Sequence, residues 1–423
     1  MTTPSRATAA AAPVSGPDRI DVLDVIRGVA VFGILLMNIV PLSGALMFNL
    51  EGDPSALPGA RFDRSAEFLL EFVAHAKFYS LFSLLFGVGF AMFLERADAR
   101  GAGGVRLFRR RLTGLLLIGL IHTTFIWFGD ILNVYALLGF FLIPFRRASH
   151  RTLLIAGTAL CASPIVIYGA ALLVRLALGG SAATPPAAEG GLPPFLVDAI
   201  RAFGGGSYLD VVKGNVIFTL AGWIRRIVTM FLPRMLGMFL FGVWAHRVGV
   251  FRDPDRHHGL LTRVCVWSLV FGAPASALGA WMGDQGVQFV PDLRGFLWTI
   301  LMCVGSAGLC FFYASALTLL YQRPPWRTRL RVLAPVGSTA LSNYLLQSVF
   351  AIVIFYGIGF DLYGRVSLVI AVVIGCAIYA VQIVLSTFWV RRAAYGPVEW
   401  LWRQFTYGRR FPLWCPTAET LLV

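Results

Sequence analysis

Apolar residues run through this chain in blocks of about twenty, separated by short polar or Gly/Pro-rich connections. A block of that length matches the roughly 20 helical residues needed to cross a bilayer core of about 30 Å. The pattern predicts ten spans, at 24–46, 69–94, 110–129, 131–147, 152–177, 232–250, 260–282, 295–321, 334–358 and 366–390. Little more than Gly129 and Asp130 separates the third from the fourth. Two stretches break the rhythm. Residues 178–206, with "LGGSAATPPAAEGGLPP", read as a long loop. Residues 207–231 set apolar positions at helical spacing beside Arg225 and Arg226, and read as an interfacial amphipathic helix, with an extra or broken span as the alternative. The expected fold class is all-α, a polytopic transmembrane helix bundle.

Polar ends frame this bundle. Residues 1–20 are rich in Ala, Pro, Ser and Thr and read as a disordered tail, with the following apolar block as an uncleaved first span. Residues 21–394 form the membrane domain, and 395–423 an interfacial C-terminal segment. Arginines crowd one set of alternate connections: Arg96 to Arg111, Arg146 to Arg151, Arg247 to Arg256 and Arg323 to Arg331. The other set carries mainly Glu51, Asp53, Asp63, Glu67, Asp130, Asp284, Asp292 and Asp361. Positive loops stay inside. Both termini are therefore expected in the cytoplasm, consistent with an even number of spans.

Composition agrees. The chain of 423 residues is 57% hydrophobic and 13% charged, where a soluble domain carries about 25% charged residues. Its mean hydropathy is +0.74. The net charge of +15 is explained by inner loops, and no basic soluble module points to nucleic acid. Nearly all the cations are arginine, Lys77 and Lys213 being the lysines; with the many alanines this suggests a GC-rich bacterial genome and hence the bacterial cytoplasmic membrane. The six cysteines form no CxxC or Cys/His ligand spacing, so no metal is expected.

Ionisable groups at membrane depth are expensive and face the bundle interior or a wet cavity. Asn38, His75, Lys77, His122, Asp130, Asn133 and Tyr135 all fall in the outer half of the first four predicted spans. Asn343, Gln347 and Gln382 form a second set near mid-depth of the last two. His122 is the candidate general base and Asp130 the carboxylate that orients it. Eight residues apart, they share a helix face but cannot touch along one continuous helix. Asn38, Lys77, Asn133, Tyr135, Asn343 and Gln347 are candidate substrate contacts. Simpler roles stand beside these: Asp130 as a helix cap, His122, Asn343 and Gln347 as interhelical glue, Lys77 as a snorkelling chain. At the cytoplasmic end, Asp24 and Arg27 share a helix face, and Arg109, Arg110 and Arg111 form a basic cluster. The segment "YGPVEWLWRQFTYGRRFPL" reads as an interfacial helix anchored by tryptophan, or as a cap against the inner loops.

The blocks "RIDVLDVIRGVAVFGILLMNI", "KFYSLFSLLFGVGFAMFLER", "GLIHTTFIWFGDILNVYALLGF", "LGMFLFG", "STALSNYLLQS" and "YGPVEWLWRQFTYGRRFPL" resemble, in this order, the YeiB-like family of bacterial membrane proteins, a domain-of-unknown-function family. The resemblance runs from Arg19 to Leu413. That family is distantly similar to membrane acyltransferases that modify sugars, which pass an acyl group from cytoplasmic acyl-CoA across the bilayer with a membrane-embedded histidine. Asp24 and Arg27 match their D-x-x-R-G opening. Bacterial O-acyltransferases often carry a histidine where this chain has Asn38; heparan-type enzymes also have asparagine there. The resemblance therefore leaves His75 or His122 for the role. It implies acyl-CoA at Asp24, Arg27 and Arg109 to Arg111, and a small hydroxyl- or amine-bearing acceptor at the outer side. The rival expectation is a transporter or channel for a small metabolite that uses the same polar cluster. A homo-oligomer is left open.

Overall fold

The computed structural model of the protein describes residues 20–45, 54–101, 103–178, 194–283 and 292–414. The expected tail up to residue 19, Glu51, Asp53, Asp284, Cys415 and most of the loop at 178–206 lie outside these residues. Among the described residues the chain is helical: α1 (Asp21–Ser43), α2 (Asp63–Val73), α3 (Lys77–Ala99), α4 (Gly104–Phe125), α5 (Leu132–Leu142), α6 (His150–Ala177), α7 (Pro194–Gly205), α8 (Tyr208–Val228), α9 (Phe231–Val248), α10 (His258–Gly283), α11 (Leu293–Gln322), α12 (Pro324–Leu330), α13 (Ala334–Ser338), α14 (Ala340–Phe355), α15 (Leu368–Val390) and α16 (Pro397–Tyr407). Strand pairing among these residues is one bridge, Ala393 with Trp414.

Six helical units are long and apolar enough to cross a membrane: α1, the unit Ala60–Ala99, α6, α10, α11 and α15. Two bent pairs pass together, α8 with α9 at 70° and α12–α13 with α14 at 78°, which gives up to eight. The outer face of these helices is apolar: Ile155, Val166, Leu173 and Leu176 on α6 and Val373, Val384 and Phe388 on α15 are exposed. Such a surface belongs in lipid. The protein is an all-helical, multi-pass membrane protein.

The block at 131–147 folds differently from a simple span. α5 has 11 residues, about 16 Å of helix, and continues into a 3₁₀ turn, Ile143–Arg147. Pro144 tightens this turn, and Arg247 holds it by donating to the carbonyls of Phe145, Arg146 and Ala148. The expected loop at 178–206 also needs correction. Residues 194–205 form α7, whose Ala199, Ile200, Ala202 and Phe203 are buried. Its apolar positions override the Gly- and Pro-rich composition around it. α8 begins where the pattern placed it, behind a capping box made by Ser207 and Asp210.

The core is centred on α3 and α9, which run parallel. Tyr79 meets Phe231 at one end, Phe86 meets Phe239 midway, and Glu95 meets His246 at the other. Glycines permit the approach: a Cβ on Gly87 would lie 2.0 Å from the Phe239 carbonyl oxygen, and one on Gly242 2.0 Å from that of Leu84. Lipid offers no hydrophobic drive between helices, so close backbone contact through small residues supplies the packing.

Candidate functional site

α4 ends at Phe125 because the chain turns sharply. The N–H groups of Ile126 and Trp127 both donate to the His122 carbonyl, at 2.9 and 2.8 Å. The chain then reverses through Phe128 and Gly129 into α5. This brings Asp130 back onto the last turn of α4. His122 Nδ1 lies 2.9 Å from Asp130 Oδ2, with both side chains buried. The two groups therefore do touch, because they lie on two antiparallel segments and not on one helix. An ionised carboxylate only accepts, so Nδ1 carries the hydrogen, and in the neutral imidazole Nε2 is then the nitrogen with the lone pair.

The same carboxylate organises α5. Asp130 Oδ1 accepts from the backbone N–H and the side-chain amide of Asn133, at 2.9 and 2.8 Å. Asp130 thus caps the helix and orients the imidazole at once. Gly119, one turn before His122, lets α5 approach: a Cβ there would lie 2.5 Å from Asn133 N and 2.9 Å from Asp130 Oδ1. From α14, the Tyr344 hydroxyl accepts from the Ile131 N–H at 3.3 Å and donates to Asp130 Oδ2 at 3.5 Å. The Tyr344 and His122 rings are 5.4 Å apart.

α8 covers this turn. Arg226 Nη2 donates to the Asp130 carbonyl at 2.9 Å. Asn215, fully buried, accepts from Phe128 N–H and donates to the carbonyls of Thr124 and Ile126. Thr123 and Thr219 share a hydroxyl hydrogen bond, and the Tyr208 hydroxyl donates to the Phe125 carbonyl. A turn that cannot satisfy its own backbone inside a bundle borrows partners from its neighbour. Buried polar atoms normally have partners. Around this turn three of them, His122 Nε2, Trp127 Nε1 and Asn133 Oδ1, are buried without one among the described residues.

The other expected residues lie elsewhere. Tyr135 points away from His122, donating to the Tyr79 carbonyl and accepting from Ser83 on α3. Lys77 is buried at the break between α2 and α3. Asn343 donates to Ser386 and Thr339, and Gln347 to Gln382 and the Val31 carbonyl. These two amides tie α1, α14 and α15 together, the structural role that stood beside the ligand role. Asn38 is partly buried on α1. His75 pairs with Glu71 at 2.8 Å, with His75 exposed and Glu71 half-buried.

The basic ends also separate. Arg27 donates to Asp24 at 2.8 Å. Arg109 and Arg110, with Arg106, Thr113 and Phe405, line a cleft of about 490 Å³. Arg111 turns inward, its guanidinium 3.7 Å from the Trp402 ring while Trp402 Nε1 donates to the Arg111 carbonyl. α16 is thus a cap docked on α4. It is docked on α14 as well, where Glu399 accepts from the Leu341 and Ser342 N–H groups and from the Ser342 hydroxyl. Two further clefts, of about 590 and 850 Å³, are lined by arginines and His246 near the end of α9, and by α7, α8 and Tyr363 to Arg365. His122 and Asp130 line none of these three clefts.

Residues 245–409 match the family model described as "Protein of unknown function (DUF418)". "Uncharacterized protein YxaH" of Bacillus subtilis is 34% identical, over 96% of this chain and 98% of its own length. The chain belongs to the YeiB-like DUF418 family. "Uncharacterized protein YeiB" of Escherichia coli is 31% identical over 94% of this chain and 98% of its own length. An "Uncharacterized 39.9 kDa protein in amylase 3′region" of Bacillus acidopullulyticus is 31% identical over 95% of this chain and 97% of its own. No solved structure matches the chain. Family membership therefore supplies kinship along nearly the whole length, and the chemistry has to be argued from the site.

Sequence reasoning missed Tyr344, Asn215 and Gly119. Tyr344 stands 214 positions from Asp130 and Asn215 87 from Phe128, so no local pattern joins them. Arg226 was visible, with Arg225, as a charged group beside the apolar positions of residues 207–231.

Proposed function

We propose that the protein is a membrane acyltransferase that moves an acyl group from cytoplasmic acyl-CoA to a hydroxyl or amine at the outer side of the bacterial cytoplasmic membrane. In this reading ten segments cross or enter the membrane, α4 and α5 form a helical hairpin, and both termini face the cytoplasm. The observation that carries it is the buried 2.9 Å contact of His122 Nδ1 with Asp130, which leaves Nε2 buried and without a partner among the described residues. That is the geometry of an oriented general base.

The steps balance simply. His122 Nε2 takes the proton of the acceptor O–H or N–H as the heteroatom attacks the thioester carbonyl. Asp130 stabilises the imidazolium so formed. The tetrahedral intermediate expels the thiolate, the C–S bond breaks, and the imidazolium returns the proton to sulfur. Trp127 Nε1 and Asn133 border the same turn, and the indole N–H suits a developing oxyanion. The donor's charged end fits the Arg106, Arg109 and Arg110 cleft. Arg109 lies thirteen residues from His122 along α4, about 20 Å, so the thiol-bearing arm runs parallel to that helix.

A transporter of a small metabolite is the second reading. The bend of 70° between α8 and α9 favours it, because broken helices build many transport sites. The test is acyl-CoA binding by purified protein in nanodiscs. Saturable binding that is lost in Arg109→Ala/Arg110→Ala supports the enzyme. Absence of binding by folded protein, together with flux of a small metabolite in vesicles, removes it.

A further inference from the structure

The cleft of about 590 Å³ lies where α3 and α9 end, away from the His122 turn. Phe90, Leu94 and Val243, all buried, form its apolar side. Its polar side comes from two turns, Ile143–Arg147 and the turn that follows α9 from Gly249 to His257. Both are held in place. Arg247 pins the first to α9 by donating to the carbonyls of Phe145, Arg146 and Ala148. In the second, Gly249 has left-handed backbone with φ 85°. Its carbonyl accepts from the N–H groups of Arg252 and Asp253, at 3.0 and 2.9 Å. The Asp255 carboxylate accepts from Gln322 at the end of α11, at 2.8 Å. Hydrogen bonds to three different helices thus shape this cleft.

Five arginines line it, Arg146, Arg147, Arg247, Arg252 and Arg256, against three acids. The acids have partners. Glu95 meets His246 at 2.7 Å and Arg252 at 3.8 Å. Asp98 accepts from the Gly104 N–H and Asp253 from the Arg256 N–H, both at 3.3 Å. Arg247 and Arg252 are engaged as well. The guanidinium groups of Arg146, Arg147 and Arg256 have no hydrogen-bond or ion-pair partner among the described residues. Helix C-termini carry partial negative charge, which His246 and Arg247 in the last turn of α9 already answer. The three unpartnered arginines stand on the turns instead. A basic inner loop alone needs no ligand to explain it. Three arginines without partners on the lining of one cleft with an apolar side make a different arrangement, a pocket with donors to offer.

We infer that this cleft binds a phosphate ester, with the phosphate on Arg146, Arg147 and Arg256 and the carbon body against Phe90, Leu94 and Val243. Planar arginine forks match phosphate oxygens two at a time and keep their charge at every working pH. The volume lies in the range of about 300–1,000 Å³ that small-molecule sites occupy, so there is room for more than a bare ion. α3 is 23 residues long, about 34 Å, against a hydrocarbon core of about 30 Å. Its last turn, with Glu95 and Asp98, therefore stands at headgroup level. A phospholipid headgroup and a soluble phosphate ester can both reach that level, and basic pockets between helices there are known to take phosphate headgroups. The site does not depend on the acyltransferase reading, because it uses neither the His122 turn nor the Arg109 cleft.

The test is thermal unfolding of the purified full chain in nanodiscs. Adenosine monophosphate is titrated against adenosine in phosphatidylcholine discs, and phosphatidylglycerol discs are compared with phosphatidylcholine discs. Wild type is compared with Arg146→Gln/Arg147→Gln and with Arg256→Gln, which remove exposed side chains that hold nothing in place. Arg327→Gln/Arg329→Gln, which removes two exposed arginines of α12 outside the cleft, controls for charge. A specific ligand raises the transition as its concentration passes Kd. The nucleotide, but not the nucleoside, or phosphatidylglycerol is expected to raise the transition of wild type and of the α12 variant by several degrees. The two cleft variants are expected to keep less than half of that shift. A response to the nucleotide identifies a soluble ester, and one confined to phosphatidylglycerol a lipid headgroup. Wild type that responds to neither probe, or equally to adenosine, overturns the proposal. So does a response that survives in both cleft variants, or that falls equally in the α12 variant.

Discussion

His122 and Asp130 touch through Nδ1 and Oδ2 at 2.9 Å although eight residues separate them, because the chain reverses between α4 and α5. This contact fixes which imidazole nitrogen is free. It also makes one carboxylate serve the base and the start of α5 together.

Asp130→Asn keeps the shape but can present an amide hydrogen to Nδ1, which favours the wrong tautomer. Acyl transfer is expected to lose roughly 10²- to 10⁴-fold in kcat with KM little changed, the range that a positioned base and its orienting group supply. Steady-state kinetics on variants with an unshifted thermal transition check this.

Gly119→Ala places a methyl group 2.5 Å from Asn133 N and 2.9 Å from Asp130 Oδ1. The backbone has to move, at about 1–3 kcal/mol. The expected outcome is a lowered transition together with reduced activity. Gly103→Ala serves as a poor control, since its φ of 63° adds strain of another kind; Gly89, with open space around it, serves better.

Asn215→Ala removes three hydrogen bonds from the turn at Thr124 to Phe128 and leaves buried backbone groups unsatisfied. A loss of about 1–3 kcal/mol per orphaned group is expected. Hydrogen exchange reads the effect locally: faster exchange at Ile126 to Ile131, with α11 and α15 unchanged.

Much of the architecture was legible in the sequence. The apolar block at 295–321 became α11 (Leu293–Gln322), and that at 24–46 became α1 (Asp21–Ser43). Long apolar periodicity has few alternatives in a bilayer. The chain break at Ala76, inside the apolar block at 69–94, was not legible: Ala76 adopts left-handed backbone without glycine, so nothing in the local composition announces the end of α2. The break at Met230 falls at the boundary the pattern placed between 207–231 and 232–250. The contact of His122 with Asp130 was left open in the sequence because it needs a bend between them, and α4 stops at Phe125.

Glu399 gives a pH signature to the docking of α16. Burial raises its carboxyl above the ordinary range, against hydrogen bonds from Ser342 and Leu341 that favour the charged form. A raised acid adds stability that is complete below the unfolded value near 4.3 and is lost as pH rises through the folded value. Relative to Glu399→Gln, which does not titrate, wild type is expected to be most favoured at low pH and to lose that advantage as pH rises above the ordinary carboxyl range. Thermal transitions of both proteins across this window check it.

The most direct measurement is single-turnover release of free thiol from acyl-CoA by purified wild type and His122→Ala in nanodiscs, with acetyl, medium-chain and long-chain donors and a hydroxyl or amine acceptor. The account predicts acceptor-dependent thiol release by wild type and at least a 100-fold slower rate in a folded His122→Ala, the lower end of what a general base contributes. Equal rates in the two proteins, or no release by folded wild type from any of the donors, would contradict it.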